Sequence, residues 1–423
     1  MLCFIFIWFT ATASSYYYYA IKRRSSVKNK FNYMRFYLAL LWTLLLLFLT
    51  GCWSSKEVEE LSLTAGIALD KGKDSTIEKE DEEGGYPKRN LITATYQIVS
   101  SQAQSKGNGQ QKRYINVSET GDSIHQIVRE FSLKRESTMF SPHLKNIVIS
   151  DSLVRTYSLE QLLEQYLRDN EVRLSCMLLI SKGLAKEVLE SNKKGEIPAF
   201  RLSGIADNRN RTTRILPPVS LAKLEGKMRS GSSFLLQNVI SIKGETKFAG
   251  AAVIKGKTKK LIGFLNEQEL EGVVWINGKR NGGVVKIFDK ESKKLIIYEI
   301  KSIKSKIIPH VNGNNISFDV NIESEGRLSE NWIQSGKDFE NEFLKKEEKA
   351  IEKEVKHLVH HVTKKIQKEY QVDIAGFGNQ LRIKHPRTWE KVKKNWDQTF
   401  SKVPIKYHIN VTIQDYGASS LKR

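Results

Sequence analysis

Past Gly51 the chain has no apolar run approaching the roughly 20 residues that a membrane-spanning helix requires, whereas its first 51 residues contain two long uncharged stretches. That asymmetry excludes a multi-pass membrane protein. The 372 residues from Cys52 onward must bury their apolar side chains in a body surrounded by water. With 40% hydrophobic and 27% charged residues, the chain can build such cores, and its length suits two or three domains.

The second uncharged stretch, Phe36 to Leu49, reads FYLALLWTLLLLFL and follows Met34-Arg35. A basic start, a short apolar core and small residues at the exit define a secretory signal peptide, here residues 34–51. The exit Leu49-Thr50-Gly51-Cys52 has the lipobox pattern: an aliphatic residue, two small ones, then an obligatory cysteine. The Cys52 thiol is expected to take a diacylglyceryl group. A peptidase that cuts before it needs small side chains on the leaving side. Two acyl groups on the sulfur and one on the new amine anchor far more durably than a single chain. Residues 1–33 allow two readings. Either translation starts at Met34 and they are a mis-called extension, or Met1 to Ile21 is a first membrane segment with Lys22-Arg23-Arg24 held inside. The Met34 start is the reading adopted here.

Charge and cysteine content narrow the rest. Lys+Arg 68 against Asp+Glu 47 gives +21, and the part from Cys52 onward keeps +15. Such a body favours anionic surroundings. Lysines interleave with glutamates, as in Lys345-Lys-Glu-Glu-Lys349, which is the pattern of a solvated helix, and no aromatic–basic RNA signature is present. The expected anionic surface is therefore a membrane or an acidic partner, with no nucleic acid. Three cysteines make no disulfide framework. Cys3 lies in the leader region, Cys52 is the anchor, and Cys176 sits in an apolar run read as a buried structural thiol.

Alternation and helical spacing predict an α+β fold of three mixed domains, with sheets covered by helices. The first, 52–200, reads β-β-α-β-α-β-α, with strands at 61–69, 90–100, 144–150 and 174–180, a helix capped by Asp122, another capped by Ser158, and one at 184–189. Prolines and glycines between 191 and 233 interrupt the periodicity, which places a boundary near 200 and a small β-rich middle domain at 201–278. That domain is expected to end in a short acidic helix at 267–271. The third, 279–423, is expected to hold a strand-rich block at 283–323, a long amphipathic helix within 332–370, a helix over 388–400 and a strand over 403–413.

Catalytic constellations are missing from the pattern. His357 and His361 share a helical face, but no third ligand follows, and a solvated flank is the expected role. Gly376-Phe-Gly378 and Gly107-Asn-Gly109 lack the strand-before, helix-after context of a phosphate loop. No Gly-x-Ser-x-Gly elbow occurs. The expectation is a protein that is not an enzyme and carries no cofactor.

Several motifs resemble those of the Ger(x)C spore germination lipoproteins. Leu49-Thr50-Gly51-Cys52-Trp53 with Glu57-Val-Glu-Glu-Leu61 and Gly66-Ile-Ala-Leu-Asp70 is similar to the mature start of that family, although Ser54 stands where an acidic residue is usual. His143 to Ser150, Tyr166 to Arg173, Gly250 to Ile254, Leu261 to Leu265 and Glu269 resemble its middle portions. Asp373-Ile-Ala-Gly-Phe-Gly378, Pro386, Trp389, Trp396, Phe400 and a strand closing at Gly417 keep its C-terminal order. The resemblance implies a C subunit of a nutrient germinant receptor in a spore-forming Gram-positive bacterium, on the outer face of the spore inner membrane. Its implied partners are an A-type and a permease-like B-type subunit, with Cys52 as the membrane anchor. It also implies three α+β domains and no catalytic residues. Trp389, Trp396 and Phe400, spaced by seven and four, are read first as packing and second as a partner contact. The rival reading is a solute-binding lipoprotein of an envelope transporter. That class requires two doubly wound lobes around a cleft, which the long alternating strands of the second half do not suggest.

Overall fold

The computed structural model describes residues 35–43, 61–72, 90–100, 112–278, 281–333 and 341–415. The chain forms two compact units, Met1–Glu57 and Val58–Arg423. In the first, residues 35–43 are helical and exposed. No described helix is long and apolar enough to cross a membrane. Cys52 and residues 1–33 lie outside the described residues.

The larger unit begins with a nine-stranded mixed sheet. Its strands are β1 (Leu61–Lys71), β2 (Ile92–Val99), β3 (Tyr114–Gly121), β4 (Thr138–Phe140), β5 (Asn146–Ser150), β6 (Met177–Ser181), β7 (Phe234–Ile242), β8 (Glu245–Lys255) and β9 (Lys260–Leu265). The order is β3-β2-β1-β5-β6-β7-β8-β9, with β4 beside the start of β1. Strands β1, β5, β6 and β7 run parallel, and antiparallel strands flank them. Helices α1 (Ile124–Glu130), α2 (Asp151–Thr156), α3 (Leu159–Arg168), α4 (Ala185–Val188), α5 (Pro198–Asp207) and α6 (Leu221–Ser230) fill the connections.

Strands buried on both faces read as continuous apolar runs, and β5 and β6 do. Because side chains alternate, Ile147, Ile149, Leu178 and Ile180 enter one core with Leu162, Leu163, Leu221 and Leu224. Val148 and Leu179 enter a second core with Ala185, Val188 and Leu202. Cys176 is buried in the first of these, and burial pushes its thiol pKa up.

Local signals place some elements and miss others. Ser158 caps α3: its hydroxyl accepts from the Gln161 N–H (3.2 Å), and the Gln161 side chain accepts from the Ser158 N–H (3.0 Å). Ser123, rather than Asp122, caps α1 by accepting from the Gln126 N–H at 3.3 Å. Strand β3 has no counterpart in the expectation. Its sequence, YINVSETG, is too polar to signal a strand, and pairing with β2 along its whole length holds it there. The Thr93–Thr120 and Thr95–Ser118 hydroxyl pairs (2.8 Å each) support that pairing.

The boundary expected near 200 falls inside a crossover. Parallel strands require a long connection, and the one from β6 to β7 carries α4, α5 and α6. The hydrogen-bonded sheet therefore continues from 52–200 into 201–278. Pro198, read as an interruption, is the first residue of α5, where a missing N–H costs nothing.

The second sheet has the order β10 (Val284–Phe288), β11 (Leu295–Asn312), β12 (Asn315–Asn331) and β13 (Ile405–Asp415). Strand β13 runs parallel to β12. On this sheet pack α7 (Glu267–Asn277), α8 (Asn341–Lys364), α9 (Phe377–Lys384), α10 (Pro386–Val392) and α11 (Trp396–Phe400), in one core that also takes Leu235, Ala251 and Val253 from the first sheet. Helix α7 extends six residues past the expected end at 271, because Val273-Val274-Trp275-Ile276 is buried on every side and packing overrides weak helix propensity. The expected helix over 388–400 is two short helices, α10 and α11, joined by a 3-10 turn at Lys393–Asn395. The edge of β13 is guarded by α8, where Glu348 and Glu352 accept the N–H groups of Ile413 (2.8 Å) and Val411 (3.3 Å).

The long amphipathic helix is α8. Its buried stripe is Leu344, Glu347, Ile351, Val355, Val359 and Val362. Glu347 breaks the pattern: it is 1% exposed and neither carboxylate oxygen has a hydrogen-bond partner. Burial first, then nearby Asp289, raises its pKa. At low pH such a group carries no ionisation penalty, only the cost of its unpaired polar atoms. Its penalty grows as pH climbs past the ordinary glutamate range, because only the unfolded chain then ionises freely. Glu347→Leu is therefore expected to gain on the parent by about 1–2 kcal/mol as pH rises from about 4 to above 7. Melting curves of both proteins across that range test this.

Candidate interaction groove

The C-terminal segment turns sharply after α8. A π-helical turn, Lys365–Glu369, ends the helix, and buried Gln367 donates to the carbonyls of Phe400 (2.8 Å) and Val403 (2.9 Å). Asp373 follows. Its Oδ1 accepts the N–H groups of Ala375 (3.1 Å), Gly376 (2.8 Å) and Phe377 (3.2 Å). Its Oδ2 accepts from the Gly378 N–H (2.6 Å) and from the Trp396 indole Nε1–H (3.0 Å). A carboxylate here also meets the positive end of α9. Gly376 caps α9 in the left-handed region (φ +87°), which only glycine enters at no cost.

Aromatic packing completes this corner. At Gly378 a Cβ would stand 2.6 Å from Trp396 Nε1, so the missing side chain lets the indole lie against the turn. Trp389 and Trp396 meet edge to face at 5.5 Å, and Phe377 meets Phe318 at 5.1 Å and Phe400 at 5.5 Å. Trp396 and Phe400 are buried, which is the packing role expected of them. Trp389 is half-buried and lines a groove.

That groove, of about 920 Å³, runs between α6 with its neighbouring segments on one side and the Asp373 turn with α9–α11 on the other. Pro217, Pro218, Ile374 and Trp389 contribute apolar surface. Lys223, Lys227, Lys257, Arg382, Lys393 and Lys394 contribute six cations. Asp373 and Asp397 are the only carboxylates among the lining residues. Burial first, then Lys223, lowers the pKa of Lys227. Burial raises that of Asp397, against the opposing pull of Lys255 and Lys257. The Lys257 ammonium donates to the Lys394 carbonyl (2.9 Å), which joins the β8–β9 turn to the far wall. The arrangement suits recognition of an anion with apolar parts.

Glu269 fastens α7 to the turn that ends α8. It completes the capping box with Asn266 (2.7 and 2.9 Å) and pairs with Lys365 Nζ at 2.9 and 3.0 Å. His361 Nε2 lies 3.5 Å from the same carboxylate, and His357 stacks on His361 at 6.3 Å between ring centroids. His143 lines a smaller cavity of about 260 Å³ with Arg173 and Asp207.

Fold and groove together define an α+β protein of two mixed sheets with a basic, partly apolar trough. Residues 54–240 match the family described as the spore germination protein N-terminal domain, and residues 249–417 match the one described as spore germination B3/GerAC like, C-terminal. The chain belongs to the Ger(x)C family. It is 51% identical over 384 residues to spore germination protein YndF of Bacillus subtilis (strain 168), covering 88% of this chain and 95% of that protein. It is 31% identical over 376 residues to spore germination protein B3 of the same organism, covering 88% and 96%. The crystal structure of the GerBC protein matches with a TM-score of 0.57 at 28% identity, over 85% of this chain and all of that one.

Proposed function

We propose that this chain acts in spore germination as the lipid-anchored, non-enzymatic C subunit of a nutrient germinant receptor. The observation that carries this reading is the match to spore germination families across 54–240 and 249–417, with curated relatives covered over 95% and 96% of their lengths. In this reading Cys52 carries the lipid and holds the body at the outer face of the spore inner membrane, beside A-type and permease-like B-type subunits. The body supplies contact surface, and the tether raises its effective concentration beside its partners. The +15 charge from Cys52 onward supports an anionic neighbourhood.

Deleting the gene, or substituting Cys52→Ala, is expected to cut the nutrient response through this receptor by about tenfold or more, the scale on which tethering raises avidity. Germination assays on mutant spores read this directly, and an unchanged response in both mutants would overturn the proposal. Titration calorimetry tests the rival: micromolar binding of a free nutrient by the purified chain would favour a solute-binding lipoprotein.

A further inference from the structure

We propose that the groove between α6 and α9–α11 receives an extended acidic segment of a partner protein, an inference that rests on reading this chain as an interaction subunit. The first argument is charge. Six cations reach the lining from four separate parts of the chain: α6, the β8–β9 turn, α9, and the turn that holds Lys393 and Lys394. Glu390, outside the lining, pairs with Lys393 at 2.6 Å, and the two lining carboxylates do not cancel the other five. Both oxygens of Asp373 already accept from the turn and from Trp396, and Asp397 stands alone against the nearby lysines. Lys223 and Lys227 stand four apart on one face of α6, so two like charges lie side by side on that wall. An arriving carboxylate relieves that.

The second argument is shape and chemistry. About 920 Å³ lies at the top of the range of small-ligand clefts, roughly 300–1,000 Å³, and the cations come from chain segments on both walls. A compact anion satisfies one or two of them. An extended peptide carrying several Asp or Glu side chains meets cations on both walls. Its apolar side chains can rest on Pro217, Pro218, Ile374 and the half-buried Trp389. A bilayer is planar and does not enter a trough, so the acidic segment is the better match to the same charge. Complementary charges of this kind set specificity and encounter rate.

The test uses the purified full chain in mild detergent and a fluorescein-labelled synthetic peptide, rich in Glu and Asp around one Leu, followed by anisotropy. Binding is expected, about tenfold or more tighter than for the Gln/Asn version of the peptide, and weakening as salt rises. Lys393→Glu with Lys394→Glu on one wall, and separately Lys223→Glu with Lys227→Glu on the other, are each expected to lose about tenfold or more. Lys304→Glu with Lys306→Glu on β11, exposed and outside the groove lining, is expected to change nothing. No binding at about 1 mM, equal binding of the neutral peptide, or indifference to the groove reversals overturns the inference. So does equally groove-dependent binding of citrate or of phosphatidylglycerol vesicles, which would make the ligand a small anion or a lipid. The spore assays above decide the receptor reading separately: peptide binding with unimpaired germination leaves the groove assignment standing and removes the receptor role.

Discussion

Asp373→Ala is expected to lower the stability of the unit Val58–Arg423 by about 4 kcal/mol. One carboxylate serves five donors there: four successive backbone N–H groups and the Trp396 indole. Ala375, Phe377 and Gly378 are buried, so water cannot replace the lost acceptor at most of these positions. Each buried donor left without a partner costs about 1–3 kcal/mol, and local relaxation recovers part of the sum. Urea unfolding followed by tryptophan fluorescence measures the loss. Hydrogen exchange follows it at the turn itself, where the amides from Ala375 to Gly378 should lose protection by about a thousandfold. Asp373→Asn should fall between, since it keeps one acceptor oxygen and turns an NH₂ toward N–H groups. A parent-like Asp373→Ala would mean that the turn is held by the Trp389–Trp396 packing alone.

Gly250→Ala is expected to cost about 3–4 kcal/mol, for a backbone reason. Gly250 lies inside β8 with φ +75°. The register between β7 and β8 slips there, so that Ala249 and Gly250 stand opposite Asn238, a bulge with glycine in the left-handed position. Asn238 Nδ2 donates to the Ala249 carbonyl (2.7 Å) and Gln237 Nε2 to the Gly250 carbonyl (2.8 Å), which pins both carbonyls that the bulge displaces. A Cβ at Gly250 would stand far inside van der Waals contact distance of the Leu265 carbonyl oxygen and press on Asn266, the cap of α7. Left-handed strain adds about 1–2 kcal/mol to the cost of moving that backbone. Gly204→Ala is the matched control, because a Cβ there meets nothing within 4 Å and its φ is not in the left-handed region. Thermal melts of the two variants should separate clearly. Equal melts would show that β9 and the α7 cap yield more easily than their packing suggests.

Asp373 and Gly250 both stand in recognisable motifs of the sequence, and in neither case does the motif disclose the role. Asp373-Ile-Ala-Gly-Phe-Gly378 has the glycine content of a phosphate loop without its context. It is a carboxylate-centred turn whose fifth donor, Trp396, comes from 23 residues downstream. Helix α9 escapes the periodicity for the same reason, since two glycines obscure its start. The spacing of Trp389, Trp396 and Phe400 indicates packing, yet only the fold shows that Trp396 and Phe400 are buried while Trp389 stays half-buried. The groove's cations are countable as part of a +15 body, but they are scattered from Lys223 to Lys394, and no spacing rule links them.

What the sequence determined by itself is whatever depends on near neighbours. Periods of two and of three to four, cap residues and the exit motif ending at Cys52 are short-range properties, so the α8 stripe, the alternation of β13, the Ser158 capping box and the α+β class are directly legible. Motif order along the chain likewise points to the family. The tertiary structure alone decided which strands share a sheet across residue 200, why a β-branched run becomes the buried helix α7, and where the lysines converge. Those outcomes depend on hydrogen bonds and burial between residues far apart in the chain, and such partners leave no periodic trace in either segment.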